Sequence, residues 1–449
     1  MKRNIGKQLA LCLLALLMAC CFSGCILRPA TELYALPRQS DTYYDLQREI
    51  EKLVTGSVRY CAPTGGQNRQ PLQMQDLDGD GVNEAIVFAR DTSEKPLKIF
   101  VFARNGSGGY ELASTVEGSG TSFDSVSYAE MDGSPGQEII IGRSVGDQVL
   151  KSMSVYSFQG SSTVELLSAN YSVYTTTDLD GDGRTDLFLI RFESGSQNGA
   201  VELYRYGDGV MARDPEQSLS SGVTGVKRIV TGDTSAGVPA VFVAGELEEN
   251  VAVTDVFAIR DGMLQNIAAS SDLGSALMVR NYYAYSTDID DDGLIELPEV
   301  ETLPDWKDAA DTTAFRLIHW YNLAPDGTRD YKMLTYHDYS YGFYLELNEA
   351  WEGRITISVD DTVEEGVAYV FHWWNGTNLP EETLFTLYRF SGDHRAELAQ
   401  ADGRFPLLEK NDVSYAASIG DGARAAALTE EGLKASFHLI RVDWKTGEM

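Results

Sequence analysis

Histidine is scarce in this chain, basic residues are outnumbered, and usable cysteine is almost missing. The five histidines stand at positions 319, 337, 372, 394 and 438, so none falls before residue 288. No zinc-protease helix motif, serine-nucleophile elbow, phosphate loop or dinucleotide fingerprint is present. Those absences exclude the best-marked hydrolase and nucleotide-dependent classes. Lysine and arginine total 36 against 67 acids, for a formal net charge of −31. A surface this acidic repels nucleic acid and anionic headgroups and attracts divalent cations. What the chain does have is a hydrophobic content of 43% and an aromatic content of 10%, which suit a globular core.

The amino terminus explains where the cysteines go. Lys2, Arg3 and Lys7 precede an apolar run from Leu9 to Ala19. That length fits a secretory core and is too short to span a bilayer. The run is followed by Phe22, Ser23, Gly24 and Cys25. This resembles the lipobox of bacterial lipoproteins. The resemblance implies cleavage before Cys25, acylation of that residue, and a place at the extracytoplasmic face of the cell membrane. Two or three acyl chains anchor stably where one does not. Cys12, Cys20 and Cys21 would leave with the leader, so only Cys61 would remain free, and no intrachain disulfide could form. Local rigidity then needs another source, and bound metal is one candidate.

Five segments are expected. Residues 1–24 are the leader and 25–40 a tether. Residues 41–56 form an amphipathic helix with Leu46, Ile50, Leu53 and Val54 on one stripe and Asp45, Glu49 and Glu51 opposite. Residues 57–340 alternate short Val-, Ile-, Phe- and Tyr-rich runs with Gly, Asn and Asp turns, which predicts many short strands. Residues 341–449 read as a smaller α+β domain, with strands at Phe343–Leu347, Arg354–Val359, Val367–Trp374, Leu384–Phe390 and Phe437–Val442 and a helix over Thr429–Lys434. There Trp351, Trp373 and Trp374 are read first as core residues.

A repeat underlies the middle segment. Strong units start at Asp76, Asp178 and Asp288, and weaker copies start at Glu130 and Thr231. The five starts lie 54, 48, 53 and 57 residues apart, room for four short strands each and the size of one propeller blade. The strong units read D-x-D-x-D-G-x-x-[D/E]. Calcium takes six to eight oxygens, so acids at places one, three, five and nine and the carbonyl at place seven suit it, with glycine at place six for the tight curl. The expected ligands are Asp76, Asp78, Asp80, the Val82 carbonyl and Glu84; Asp178, Asp180, Asp182, the Arg184 carbonyl and Asp186; and Asp288, Asp290, Asp292, the Leu294 carbonyl and Glu296. The second unit has Ser134 and Pro135 at places five and six, and the fourth has Thr231, Ser235 and Pro239 at places one, five and nine, so both are expected to bind no calcium. A helix-flanked EF-hand is the competing reading for the fifth unit, which carries Glu299 at place twelve.

These units resemble FG-GAP or VCBS repeats of integrin-like β-propellers. The resemblance covers roughly residues 70–340 and implies a calcium ion in a loop between strands. The fold expected is therefore mainly β: a propeller-like repeat domain with a smaller carboxy-terminal α+β domain. The function expected is non-catalytic binding or scaffolding of protein or glycan ligands. An extracellular carbohydrate-active hydrolase on the same scaffold is the alternative, and no catalytic residue is assigned.

Overall fold

The computed structural model describes residues 41–146, 150–193, 199–248, 251–269, 279–280, 284–303, 315–376, 382–441 and 444. The leader, Cys25 and the tether lie outside them. The first described element is helix α1 (Asp41–Leu53), on the stripe the sequence predicts. Leu46 and Ile50 are buried and Leu53 and Val54 half-buried. Asp45 and Glu49 point outward and pair with Arg48 and Lys52.

Six antiparallel sheets follow in chain order, so the chain is mainly β and propeller-like in arrangement. The first holds β1 (Arg59–Tyr60), β2 (Leu72–Gln75), β3 (Glu84–Arg90), β4 (Leu97–Arg104) and β5 (Tyr110–Gly118). The second holds β6 (Ser122–Ala129), β7 (Glu138–Ser144), β8 (Lys151–Phe158) and β9 (Thr163–Tyr171). The third holds β10 (Val173–Thr177), β11 (Asp186–Arg191), β12 (Ala200–Gly207), β13 (Val210–Arg213) and β14 (Gln217–Ser218). The fourth holds β15 (Gly225–Asp233), β16 (Pro239–Glu248), β17 (Val251–Arg260) and β18 (Met263–Asn266). The fifth begins with β19 (Leu297–Thr302), β20 (Arg316–Leu323), β21 (Arg329–Asp338) and β22 (Phe343–Leu347). The sixth holds β23 (Ile355–Asp360), β24 (Gly366–Trp373), β25 (Glu382–Phe390), β26 (Phe405–Lys410) and β27 (Val413–Ile419). Finally β28 (Phe437–Leu439) returns to pair with β22.

Central strands such as β3, β7 and β11 are buried on both faces, which is why they read as unbroken apolar runs instead of alternating ones. In β7, Ile139 and Ile141 pack toward the first sheet with Phe88 and Val101, while Ile140 packs toward the third with Leu187 and Leu189. In β11, Phe188 and Ile190 in turn meet Val241, Val243 and Phe257 of the fourth sheet. Phe242 and Val256 meet Leu297 and Leu323 of the fifth. Leu334 and Phe343 meet Ile357, Phe371 and Phe385 of the sixth. The two ends of this stack are covered by helices. Leu46 and Ile50 of α1 cover Val87 and Phe102 of the first sheet, and Leu398 of α2 (Arg395–Leu398) packs with Phe390 of the sixth. Among the described residues, no hydrophobic cluster joins the first sheet to the last.

Residues 341–449 combine sheet with α2 and α3 (Glu430–Ser436), the α+β mixture expected. They are not set apart from what precedes them. Strand β22 pairs with β21 from Leu334–Leu347 to Asp338–Phe343, so the boundary expected at residue 340 falls inside the fifth sheet. The sixth sheet is a further antiparallel sheet in the order β23-β24-β25-β27-β26, where the sequence shows only five repeat starts. Its first turn, residues 361–365, contains neither glycine nor spaced aspartates. Trp351 and Trp373 pack against the core shared by these two sheets.

Part of the fifth sheet's other face is aromatic. His337 is buried there, stacked on Tyr344 at 5.0 Å and near Trp444 and Trp320, and neither ring nitrogen has a hydrogen-bond partner. Burial drives its pKa down to about 3. The unfolded chain, with an ordinary value near 6.5, takes up a proton that the fold excludes. Stability from this residue is therefore complete above about pH 6.5 and falls by about 1.4 kcal/mol per unit as the pH drops toward 3. Urea denaturation of wild type and His337→Phe between pH 6.5 and 5 is expected to show the variant losing stability less steeply by about that slope. Parallel curves would remove His337 as a source of acid sensitivity.

Candidate metal centres

The first two strong motifs occupy the turn between the first two hairpin strands of a sheet. Residues 76–83 join β2 to β3, and residues 178–185 join β10 to β11. Residues 288–295 lie between Thr287 and Glu296, which bridge each other, and β19 follows. Strand on the far side rules out a helix-flanked EF-hand there, and Glu299 lies on β19, paired with Arg329.

The loops close by hydrogen bonds from backbone to carboxylate. At place one, Asp76 accepts from the N–H groups of Gly79 (2.8 Å) and Gly81 (3.0 Å). Asp178 accepts likewise from Gly181 (2.8 Å) and Gly183 (2.9 Å), and Asp288 from Asp292 (3.1 Å) and Gly293 (3.0 Å). Glycine at place six has φ of 83°, 87° and 88°, the left-handed region expected. Place four is left-handed too, with Gly79 at 72°, Gly181 at 74° and Asp291 at 63°, a demand the sequence reading missed.

The acid at place nine does something the sequence reading also missed. Glu84 accepts from the Leu77 N–H at 2.8 Å, Asp186 from Leu179 at 3.0 Å, and Glu296 from Ile289 at 3.0 Å. All three carboxylates are buried. Burial, opposed by that backbone hydrogen bond and reinforced by the neighbouring acids, pushes each pKa up to about 7. In Glu296, the second oxygen has no partner at all.

Three groups of oxygens result: Asp76, Asp78 and Glu84; Asp178, Asp180 and Asp186; Asp288, Asp290 and Glu296. Within each group the atoms lie within 4.8 Å of one another. Ligands at about 2.4 Å from one cation lie no more than about 4.8 Å apart, so the donor sets fit calcium in chemistry and in span. The orphaned oxygen of fully buried Glu296 is the kind of atom a cation would satisfy.

Place five stands apart from these groups. Asp80 accepts from the Val82 N–H (2.7 Å), Asp182 from Arg184 (2.9 Å) and Asp292 from Leu294 (2.9 Å). Val82, Arg184 and Leu294 thus hold place seven through their N–H groups, and their carbonyls as ligands remain part of the proposal below. Asp182 also forms an ion pair with the Arg184 side chain, which holds its pKa below the usual range.

The loops differ in the cations the protein itself supplies. Lys332 lies 2.7 Å from Asp290 and also contacts Asp292, and Arg441 contacts Asp291. Arg205 lies 3.1 Å from Asp180. Among the described residues, no lysine or arginine comes within 4.0 Å of Asp76, Asp78, Asp80 or Glu84. The weak copies are built differently. In the second, Glu138 keeps the place-nine role, accepting from Met131 (2.7 Å) and Asp132 (3.2 Å), while Pro135 and Gly136 pack into the first loop. In the fourth, Thr234 N–H closes the turn on the Val238 carbonyl.

No protein-family model matches the chain, and no curated protein matches it in sequence. Among solved structures, Sqt1 from Chaetomium thermophilum aligns over 71% of this chain and 82% of its own, at 10% identity and a TM-score of 0.30. A protein from Lactobacillus plantarum aligns over 69% and 82%, at 12% identity and a TM-score of 0.27. Likenesses this distant carry no argument about what the chain does.

Lys332 competes with any ion for the fifth-unit carboxylates. Lys332→Met is expected to tighten calcium binding at that loop by on the order of tenfold in calorimetric titration. An affinity unchanged by the substitution would show that the ammonium is not in competition there.

Proposed function

We propose that the chain is a calcium-holding, lipid-anchored extracytoplasmic module of the FG-GAP/VCBS kind. In this reading it binds or scaffolds protein or glycan ligands and performs no catalysis. The observation that carries it is the recurrence of one three-carboxylate group in the first hairpin turn of the first and third sheets and in the turn that leads into the fifth.

When bound, calcium supplies charge neutralisation and a rigid oxygen-lined turn. The chain's own residues do the rest. Asp76, Asp178 and Asp288 gather the loop N–H groups, the third-place acids Asp78, Asp180 and Asp290 face them, and Glu84, Asp186 and Glu296 fasten the loop to its own second residue. Without a cation, the crowded carboxylates repel one another and favour opening. His337 is sealed in an aromatic cluster and is not available to a substrate. Anchoring rests on the Cys25 segment and explains how an acidic protein stays at an anionic surface that would repel it.

Thermal melting of the purified chain tests the calcium part. Each site occupied at a hundredfold excess over its Kd adds about 2.7 kcal/mol. A chelator is therefore expected to lower the midpoint by several degrees, calcium to restore it, and magnesium to restore it poorly. Superimposable melts with chelator and with calcium would overturn the reading. Membrane fractionation tests the anchor: Cys25→Ser is expected to move the protein to the soluble fraction, and continued retention would rule the anchor out.

A further inference from the structure

One cleft of the described structure has no counterpart among the motifs. It measures about 740 Å³ and lies where the opening strands of the first three sheets come together. Its walls come from the 65–68 segment, β6, β10 and the ends of neighbouring strands. These opening strands are half-exposed, whereas β7 and β11 beside them are buried. Gln75 of its wall directly precedes Asp76, and Thr176 stands two residues before Asp178, so the first two acidic loops fix its rims.

Its chemistry is unlike the rest of the surface. In a chain with a net charge of −31, the only charged residues lining the cleft among the described residues are Asp124 and Lys151, which neutralise each other at 2.9 Å. Apart from two glycines and two valines, the remainder is amide, hydroxyl and tyrosine. The tyrosines are held rigid: Tyr171 donates to Asp124 (2.8 Å) and Tyr128 to Gln73 (2.6 Å), while Tyr174 lies 3.2 Å from the Ser125 hydroxyl. By contrast, the amides of Gln67, Gln75 and Gln137 and the hydroxyls of Thr175 and Thr176 make no side-chain hydrogen bond among the described residues. A preformed concave site with fixed rings and spare groups that both donate and accept is built for a ligand.

We infer that this cleft binds an uncharged saccharide segment, an assignment that rests on reading the chain as a binding module. A neutral site gives charged ligands no partner for their charge. Vicinal hydroxyls each donate and accept, as carboxamides and hydroxyls do, and ring faces stack on tyrosine. An extended peptide would instead add to an exposed strand edge. That edge of β6 is already occupied: the Phe123 and Asp124 carbonyls accept from Thr64 and Gly65, and the Val126 carbonyl accepts from the Asn68 side chain.

The test is calorimetric titration of the full calcium-loaded chain with maltotetraose, cellotetraose and chitotetraose, alongside a Gln67→Ala, Gln137→Ala double variant. The expected result is binding of at least one tetrasaccharide, about tenfold weaker or more in the double variant, with an unchanged melting midpoint. Silence from all three at millimolar concentration would overturn the assignment. So would binding that the double variant leaves intact, which places it elsewhere. An uncharged extended peptide that binds where the saccharides do not would hand the cleft to a peptide instead. The calcium melt is scored separately, so a chain that calcium stabilises but that ignores all three sugars loses only the saccharide.

Discussion

A buried carboxylate accepting a backbone N–H from seven residues upstream is the interaction on which this architecture depends. It recurs as Glu84 with Leu77, Glu138 with Met131, Asp186 with Leu179, and Glu296 with Ile289. In the first three cases it fastens the turn between the first two strands of a sheet, and in the fifth sheet the turn that leads into β19. The residue that supplies the N–H is apolar and buried: Leu77, Met131, Leu179 or Ile289. Each loop is thus fixed at one end by a polar contact and at the other by a side chain in the core. Burying an acid this way is costly, and the elevated proton affinities of Glu84, Glu138, Asp186 and Glu296 record the cost. A nearby divalent cation would offset it, because it would favour the charged form the fold otherwise penalises.

With the turns fixed, the stacking of sheets follows from burial on both faces. Consecutive residues such as Ile139, Ile140 and Ile141 serve opposite neighbours, so each sheet is glued to the one before it and the one after it. That leaves an outer face at each end of the series. Helix α1 covers the first, which gives its apolar stripe and its acidic outer side a single explanation. The same two-sided burial dissolves the boundary expected near residue 340, because β21 and β22 pair and their sheet shares a core with the sixth.

What could be read from the sequence was what repeats locally. The repeat units located the first turn of four sheets and the turn that leads into the fifth, and the apolar runs Ala85–Ala89, Leu97–Ala103, Leu187–Ile190 and Val201–Tyr206 located β3, β4, β11 and β12 to within a residue. The sixth sheet was not legible as a repeat, because its turn has no aspartate spacing, although the runs expected at 354–359, 367–374 and 384–390 mark β23, β24 and β25; β26 escaped because Phe405–Lys410 is broken by Pro406 and bulged beside it. The site was legible to the same extent. Places one, three and nine come together as the motif requires, whereas place five turns to its own backbone and, in two loops, to a basic side chain. Lys332 reaches its aspartates from a distant strand of the same sheet, and no local pattern encodes such a contact. Nor could the cleft be foreseen, since Gln75, Gln137 and Thr176 meet only when three sheets are in place.

The eroded copies have a physical reason to be eroded. A β-carbon on Gly79 would collide with Pro135, and one on Gly136 would collide with the Leu77 carbonyl, so the second loop is wedged backbone to backbone against the first. On its other side the Glu130 carbonyl accepts from Thr185 of the third loop. The Asp233 carbonyl of the fourth copy likewise accepts from Ile295 of the fifth. More carboxylates at these contacts would add like-charge repulsion where the turns pack most closely. The second copy keeps Glu130, Asp132 and Glu138 but has Ser134 and Pro135 at places five and six, and the fourth keeps only Asp233. Fewer acids and closer packing go together in the weak copies, which then act as spacers between the three most acidic turns.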